Sequence, residues 1–171
     1  MTALDDFRKA KDDYFGHDDD SPLTPEQRAT FAGLSYFPEN PALRLEATVS
    51  RFPEQEVVQL PTSTGDVQTY SRYGRFSFQV ERQEAQLTIF HNQHGYFLLF
   101  VDSTANMETY GAGRYLEPQQ GADGKFLVDF NYAYNPYCSY NDVWSCPIPP
   151  AENRLQVAIK AGEKIYKKSD A

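Results

Sequence analysis

The sequence predicts a mainly β fold, arranged as a small antiparallel barrel or a curled sandwich with two short N-terminal helices. From Asn40 onwards, apolar residues alternate with polar ones in short runs, a pattern typical of half-buried strands. Turn-forming residues separate these runs at spacings typical of antiparallel meanders. Before Asn40, apolar residues recur at helical spacing instead. Many short strands and few helices favour a barrel or sandwich with the helices packed at one end.

Two helices are predicted in the N-terminal segment, residues 1–38. The first has apolar side chains at helical spacing between residues 4 and 15, and Thr2 can serve as its N-cap. The second begins at Thr24, because Thr-Pro-Glu-Gln places a capping hydroxyl before a proline at the first helical position and a Gln in the capping-box position. We expect Gly33 to end this second helix.

The β core is predicted over residues 40–168. Apolar residues of one parity mark its strands: Leu43, Leu45, Ala47 and Val49; Phe76, Phe78 and Val80; Leu87 and Ile89; and Phe126, Val128 and Phe130. Turn signals lie at residues 63–66, 73–74, 94–95, 111–113 and 121–124. The run YFLLFV at 96–101 is apolar at every position, so we expect a central strand that is covered on both faces.

Length and charge narrow the classes of function. A chain of 171 residues that is 40% hydrophobic can bury one sizeable core, so residues 1–171 are predicted to form a single domain. The net charge of -8 disfavours nucleic acid and membrane surfaces as partners, because both bind clustered Lys and Arg. The start of the chain does not resemble a secretory signal, and no apolar run is long enough to cross a bilayer. We therefore expect a cytoplasmic protein.

The stretch DFNYAYNPYCSYNDVWSCPIPPAENRL, residues 129–155, concentrates residues with special chemistry. It holds both cysteines and the single tryptophan, with four residues each of tyrosine, asparagine and proline. Its prolines restrict the backbone and its asparagines can bond to turn backbone, so we expect a pinned loop that acts as a structural clasp. Long ordered loops also concentrate function. The same segment is therefore predicted to form one wall of a functional site.

Two stretches carry a resemblance to a known family: FVDSTANMETYGAGRYL at 100–116 and DGKFLVDFNYAYNPYCSYNDVWSCPIPPAENRLQVAIKAGEK at 123–164. They resemble DUF1684, an uncharacterised bacterial and archaeal family, and the similarity extends upstream through FRKAKDDYF, SPL and FAGLSYFP. The resemblance implies one domain and supplies no catalytic residues. It implies that these residues belong to the family motif: Asp102, Thr104, Glu108, Tyr110, Gly113, Arg114, Asp129, Asn131, Tyr134, Asn135, Cys138, Tyr140, Cys146, Pro147 and Asn153.

Charged side chains near the ends of the buried strands define a candidate site. Asp102, Glu108 and Asp129 are candidates for a catalytic general base, with Arg114 as the charge stabiliser. We expect Arg114 to face the same cavity as Asp129 and Asn131. The ligand-binding candidates at the barrel mouth are Tyr110, Arg114, Asn131, Tyr134, Asn135, Cys138 and Tyr140. The structural alternative for Arg114 is a bidentate pair with one of the three carboxylates, which does not exclude ligand binding beside it.

Three classes of function stay open. The first is a noncatalytic domain that binds a small polar or anionic molecule at the barrel mouth. The second is an enzyme that uses one of the candidate carboxylates, and the third is a protein-interaction scaffold. The sequence lacks a nucleophile elbow, a phosphate-binding loop and a dinucleotide fingerprint, so it predicts no cofactor. It leaves the oligomeric state open.

The two cysteines, Cys138 and Cys146, are expected to be free thiols, because thiols in the cytoplasm usually stay reduced. Their spacing differs from the C-x-x-C of thioredoxin-like redox centres, and no histidine lies nearby in sequence to activate them. Together with His91 and His94 they would have the right ligand types for tetrahedral zinc. Because residues 91–94 are explained more simply as the polar end of a hairpin, we predict no metal site.

Overall fold

The computed structural model describes residues 2–166. Within that range, two α-helices precede nine strands. The helices are α1 (Ala3–His17) and α2 (Pro25–Ala29). The strands are β1 (Arg44–Ala47), β2 (Ser50–Arg51), β3 (Val57–Pro61), β4 (Val67–Val80), β5 (Gln83–Asn92), β6 (Gly95–Phe100), β7 (Arg114–Leu116), β8 (Gln119–Gln120) and β9 (Phe126–Asp129). The predicted boundaries at residues 1, 168 and 171 lie outside the described residues. None of the described helices has the length and hydrophobicity needed to cross a membrane.

Both N-terminal helices begin with the capping interactions that the sequence predicts. The Thr2 hydroxyl accepts a hydrogen bond from the Asp5 N–H at 3.1 Å, and the Asp5 carboxylate accepts one from the Thr2 N–H at 3.0 Å. Thr24 and Gln27 form the same reciprocal pair at the start of α2. Each pair satisfies N–H groups that a helix N-terminus leaves without a partner. α2 ends at Ala29, which is earlier than the predicted end at Gly33.

Antiparallel pairing organises the strands into two sheets. In the larger sheet, β2, β4, β5, β6 and β7 lie in that order, and β3 also pairs with β4. In the smaller sheet, β9 lies between β1 and β8. The apolar run at 96–101 supplies β6, between β5 and β7. Leu98 and Phe100 pack into the main core, whereas Leu99 packs into a second cluster, so the predicted coverage of both faces is confirmed.

Residues of both sheets build the main core, and this arrangement is a curled sandwich. Phe126 and Val128 of the smaller sheet belong to the same cluster as Ile89 of the larger one. The mainly β fold class is therefore confirmed, whereas the barrel alternative is wrong. The outer edge of β7 pairs with an irregular segment, because Tyr115 and Tyr134 exchange backbone hydrogen bonds of 2.8 and 2.9 Å. This segment covers the edge, and the sheets do not close.

The turn that we predicted at residues 73–74 is wrong. These residues lie inside β4, where the register against β5 shifts between Arg72 and Gly74. Such a bulge bends a strand and increases its twist. A Cβ at Gly74 would lie 2.7 Å from the carbonyl oxygen of Ser50, so the glycine permits the close approach of β2. The other predicted turns, at 63–66, 94–95, 111–113 and 121–124, lie at strand ends or between strands.

The chain after β9 wraps around the sandwich instead of adding to the sheets. Within residues 130–166 the structure has short 3-10 turns at Phe130–Tyr132, Tyr137–Ser139 and Ala151–Asn153 and isolated bridges, but no further strand. The four prolines of the segment lack the backbone N–H that a sheet ladder needs, which explains this irregularity. The predicted β core therefore has its strands between residues 44 and 129 and an irregular outer segment beyond them.

Candidate functional site

Buried asparagine side chains pin the segment 129–155 to the sandwich. Asn153 accepts a hydrogen bond from the Thr88 N–H at 2.8 Å and donates to the carbonyl oxygens of Thr88 and of a β6 residue, both at 2.9 Å. Asn131 bonds in the same way to the N–H and the carbonyl of Asn40, at 2.8 and 3.0 Å. Each side-chain amide provides hydrogen bonds to backbone N–H and carbonyl groups, in the place where a neighbouring strand would otherwise provide them. The predicted structural clasp is confirmed.

Helix α1 and this segment, together with Tyr115 and Glu117, line an open cleft of about 700 Å³. We call it the aromatic cleft, because seven aromatic side chains of the described chain line it. Its lining consists of Phe7, Ala10, Lys11, Tyr14, Phe15, Tyr115, Glu117, Tyr134, Pro136, Tyr137, Trp144, Ser145, Cys146 and Pro147. Ligand pockets in proteins have volumes of roughly 300–1,000 Å³ and mostly apolar walls. The cleft therefore has the size and chemistry of a site for a small organic molecule.

Large aromatic side chains at the rim of the aromatic cleft are partly exposed. Phe7, Tyr14, Tyr137 and Trp144 each leave 36% to 40% of their surface accessible. The rings of Tyr137 and Trp144 have centroids 5.2 Å apart and planes inclined by 68°, so they form a corner. Apolar side chains clustered on an accessible concave surface commonly mark a binding site.

Lys11 is one of the charged side chains in the lining, and its charge is already neutralised. Its Nζ lies 2.9 Å from the carboxylate of Glu163, whose side chain is 2% exposed. Glu163 also accepts a hydrogen bond from the Tyr140 hydroxyl at 3.2 Å and another from the backbone N–H of Asn135. Asn135 and Tyr140, two of the predicted ligand-binding residues, are thus brought together around a buried carboxylate behind the cleft.

Glu117 is the other charged residue in the lining, and it is exposed. Its carboxylate accepts a hydrogen bond from the Tyr134 hydroxyl. Burial and the nearby Glu117 carboxylate raise the pKa of Tyr134, so its hydroxyl stays protonated and remains a donor. Tyr134 lines both the aromatic cleft and an adjoining cavity of about 290 Å³. Among the predicted ligand-binding residues, Tyr134 is the one that the structure places in the cleft wall.

Arg114 lies in the protein interior, with 1% of its surface exposed. Its guanidinium donates to the carboxylate of Asp102 at 3.3 Å. It also donates to three backbone carbonyl oxygens, those of Ile159, Ala161 and Glu163. Burial lowers the pKa of Arg114, and the negative charge of Asp102 opposes that effect. Arg114 therefore attaches the C-terminal segment to the sandwich, as in the structural alternative for this residue.

Asp129 lies in a different environment from Arg114. Its carboxylate is 3.0 Å from Arg44 Nε and accepts a hydrogen bond from the Asn131 N–H at 3.0 Å. It lines the adjoining cavity of about 290 Å³ together with Tyr134. The expectation that Arg114 shares a cavity with Asp129 and Asn131 is wrong. The Arg114 guanidinium lies in the interior instead, because it donates hydrogen bonds to carbonyl groups of the irregular C-terminal segment.

The other two candidate carboxylates are separate from Asp129 and from each other. Asp102 is buried and accepts hydrogen bonds from the Thr104 hydroxyl at 2.8 Å and the Ile159 N–H at 2.6 Å, in addition to the contact with the guanidinium. Glu108 lies at the surface, 3.7 Å from Lys160 Nζ. The structure therefore does not assemble the three candidate carboxylates into one site.

Cys138 and Cys146 are neighbouring buried thiols and are free. The Cys138 N–H donates to Cys146 Sγ at 3.4 Å, and the Tyr110 hydroxyl lies 3.8 Å from Cys138 Sγ. The hydrogen bond from the Cys146 thiol lowers the pKa of Cys138 to about 6, although burial opposes the change. The pKa of Cys146 is raised, because its proton is held by Cys138. Cys146 lines the aromatic cleft, whereas Cys138 and Tyr110 pack behind it.

The histidines of the zinc alternative do not reach the cysteines. His91 stacks against Tyr96 with ring centroids 6.1 Å apart and contacts the edge of Tyr73. His94 is exposed at the tip of the hairpin between β5 and β6. Across residues 2–166, no group of three or more His, Cys, Asp or Glu side chains is arranged to hold a metal ion.

The sequence does not reveal the contribution of α1 to the cleft. Phe7, Lys11 and Tyr14 follow one another at spacings of four and three residues, which places them on one face of the helix. Two aromatic rings and a lysine on one face of the helix are the pattern that could indicate a site. The same pattern is equally typical of a helix face that only packs against the rest of the protein. Glu117 carries no motif that would mark it as part of a site, whereas Trp144 belongs to the segment 129–155 that the sequence predicts as a wall.

A family model described as "Protein of unknown function (DUF1684)" matches residues 29–164. The chain is also similar to the solution NMR structure of an uncharacterised protein from gene locus rrnAC0354 of Haloarcula marismortui. The two share 38% sequence identity with a TM-score of 0.70, over 94% of this chain and 91% of that one. No curated protein matches the chain. Because the family model covers most of its length, the chain belongs to the DUF1684 family.

Proposed function

We propose that this protein is a noncatalytic domain that binds a small organic molecule in the aromatic cleft. The observation that carries the proposal is a cavity of about 700 Å³ with seven aromatic side chains in its lining, several of them partly exposed. A ligand with a flat, apolar body would cover these rings and remove their surface from water. This ligand is less polar than the one that the sequence suggests, and it lies beside α1 instead of at a barrel mouth.

The lining combines apolar walls with a few polar groups that could orient a ligand. Tyr134 and Glu117 already form a hydrogen bond in the lining, and Ser145 and Cys146 line the same cleft. Binding pockets typically have this composition, with apolar contacts providing affinity and a small number of polar groups providing orientation.

The enzyme alternative receives less support from the geometry. A general base needs a lone pair within reach of the substrate proton. Asp102 is buried and its oxygens accept several hydrogen bonds, and Asp129 is paired with Arg44 outside the aromatic cleft. The scaffold alternative requires a flat exposed aromatic patch, whereas the exposed rings here line a concavity.

The proposal includes the cytoplasmic location expected from the sequence. Two neighbouring free thiols, Cys138 and Cys146, fit a reducing compartment. Within such a compartment a small metabolite is a more suitable ligand than nucleic acid or a membrane, given the net charge of -8.

The test uses Trp144, which is the single tryptophan of the chain and lines the cleft. Its fluorescence reports occupancy without labelling. A library of one- and two-ring aromatic compounds is screened by Trp144 fluorescence and by thermal denaturation. We expect some compounds to change the emission and raise Tm together. A ligand at about 100 times its Kd stabilises the folded state by about 2.7 kcal/mol, which corresponds to a rise in Tm of about 5–10 °C.

A matched pair of variants locates the binding. Ala10→Phe adds a ring inside the cleft, whereas Ala3→Phe adds the same ring to an exposed position of α1 outside it. We expect Ala10→Phe to abolish the response to the compounds and Ala3→Phe to preserve it. The proposal fails if no compound produces a response, or if Ala10→Phe binds every active compound as well as the parent protein.

A further inference from the structure

The charged side chains in the lining of the aromatic cleft differ in whether their charge is available to a ligand. Among the described residues, Lys11 and Glu117 are the charged side chains in the lining. The Lys11 ammonium lies 2.9 Å from the buried carboxylate of Glu163, so its charge is compensated from within the protein. An anionic ligand would have to compete with a desolvated carboxylate that is held by further hydrogen bonds.

Glu117 carries a charge that no described residue neutralises. Its carboxylate accepts a hydrogen bond from the Tyr134 hydroxyl, which is a neutral donor. None of the ion pairs formed within residues 2–166 includes Glu117. The cleft therefore presents one uncompensated negative charge at its edge, on a protein whose net charge is already -8.

The aromatic walls suit a positive charge as well as an apolar surface. The face of an aromatic ring attracts cations within about 6 Å of its centroid, and groups of rings bind quaternary ammonium ions in this way. The Lys11 ammonium already lies 5.0 Å from the centroid of Tyr134 and 5.5 Å from that of Phe15. Tyr137 and Trp144 form a second corner of rings at the rim that no cation of the described chain occupies.

We propose that the ligand of the aromatic cleft is an organic cation, a quaternary ammonium or a protonated amine attached to an apolar body. The inference rests on the proposed binding function and names its ligand class. The aromatic walls contact the apolar body and the cationic group together, and the Glu117 carboxylate supplies the counter-charge. The small polar or anionic ligand that the sequence suggests is thereby replaced by a cationic one.

Three probes of similar size and different charge test the inference: benzyltrimethylammonium, benzyl alcohol and benzoate. Each is titrated against the protein at low ionic strength, with Trp144 fluorescence as the readout. We expect benzyltrimethylammonium to bind about 10-fold more tightly than benzyl alcohol, and benzoate to bind most weakly. Added salt weakens binding of the cation and leaves binding of the alcohol unchanged, because it screens an exposed charge.

Substitution of Glu117 separates its charge from the shape of the cleft. Glu117→Gln keeps an acceptor for the Tyr134 hydroxyl and removes the negative charge. We expect it to weaken binding of benzyltrimethylammonium about 5-fold and to leave binding of benzyl alcohol unchanged. The control is Glu84→Gln, which removes the same charge from an exposed position on β5 away from the cleft and leaves all three affinities unchanged.

The outcomes distinguish this inference from the proposed function. The cation inference is overturned if benzoate or benzyl alcohol binds as tightly as benzyltrimethylammonium, if Glu117→Gln does not change the affinity for the cation, or if the cation does not bind at concentrations up to about 10 mM. In each of these cases the proposed binding function still stands if neutral aromatic compounds bind the parent protein and lose binding in Ala10→Phe. The proposed function is contradicted only if the neutral aromatic compounds do not bind the parent protein, or if they bind Ala10→Phe equally well.

Discussion

Replacing Arg114 by lysine tests whether this residue has a structural role. The guanidinium bonds to the Asp102 carboxylate and to three carbonyl oxygens of the C-terminal segment, from an interior position that is 1% exposed. Arg114→Lys keeps the positive charge near Asp102. It removes the planar group of several donors, and one ammonium cannot reach all four acceptors. The variant therefore isolates the hydrogen bonds from the charge.

The expected cost follows from the contacts that are lost. If about two buried carbonyl groups lose their donor, the free energy of unfolding falls by about 2–3 kcal/mol. Domains are stable by only about 5–15 kcal/mol, so the variant still folds at room temperature. For a chain of this size each kcal/mol shifts Tm by about 2–4 °C, which gives a decrease of about 4–12 °C.

Urea denaturation followed by circular dichroism and thermal denaturation by calorimetry measure this cost. The control is Arg44→Lys, which changes a half-exposed arginine paired with Asp129 and Glu39 and is expected to lower Tm by less than Arg114→Lys does. The structural account of Arg114 is refuted if Arg114→Lys is as stable as Arg44→Lys. It is refuted most clearly if that stable variant also loses binding of the cleft probes, since the residue would then belong to the ligand site.

Further predictions concern the clasp, the bulge and the thiols. Asn153→Ala leaves the buried N–H of Thr88 and two carbonyls without partners, so urea denaturation should show a loss of about 2–4 kcal/mol. Gly74→Ala places a Cβ 2.7 Å from a carbonyl oxygen of β2, and a similar measurement should show a loss of about 1–3 kcal/mol. Cys138 has a pKa lowered to about 6, so its alkylation by iodoacetamide should accelerate between roughly pH 5 and 7, and Cys146→Ala, which removes the hydrogen-bond donor, should move that acceleration to higher pH. Equal alkylation rates at both thiols, rising together above pH 8, would contradict a lower pKa for Cys138 than for Cys146.

Local features of the fold could be predicted from the sequence because their causes lie within a few residues. The capping pairs at Thr2 and Thr24 depend on side chains three positions apart, and the strands around Phe126 and Leu87 follow from the parity of apolar residues. The prediction of a turn at Gly74 is wrong, because the glycine is needed for the close approach of the β2 backbone, which no local pattern reveals.

The site was harder to predict because its parts are distant in sequence. Phe7 and Lys11 on α1 meet Tyr134 and Trp144 across the aromatic cleft, and no short motif joins these positions. The pattern around residues 129–155 correctly indicated a clasp, and residues of the same segment line the aromatic cleft. It could not indicate that Arg114 binds carbonyl groups, since backbone acceptors leave no signature in the side-chain sequence.

The central claim, that the aromatic cleft binds a small molecule, is tested most directly by a two-dimensional amide NMR titration of the 19.5 kDa protein. The probe is benzyltrimethylammonium, with benzyl alcohol as the neutral comparison. The account predicts shifts that saturate and are confined to α1, to residues 134–147 and to the neighbourhood of Glu117. Saturating shifts that cluster elsewhere on the sandwich, or no shifts with either probe, would contradict it.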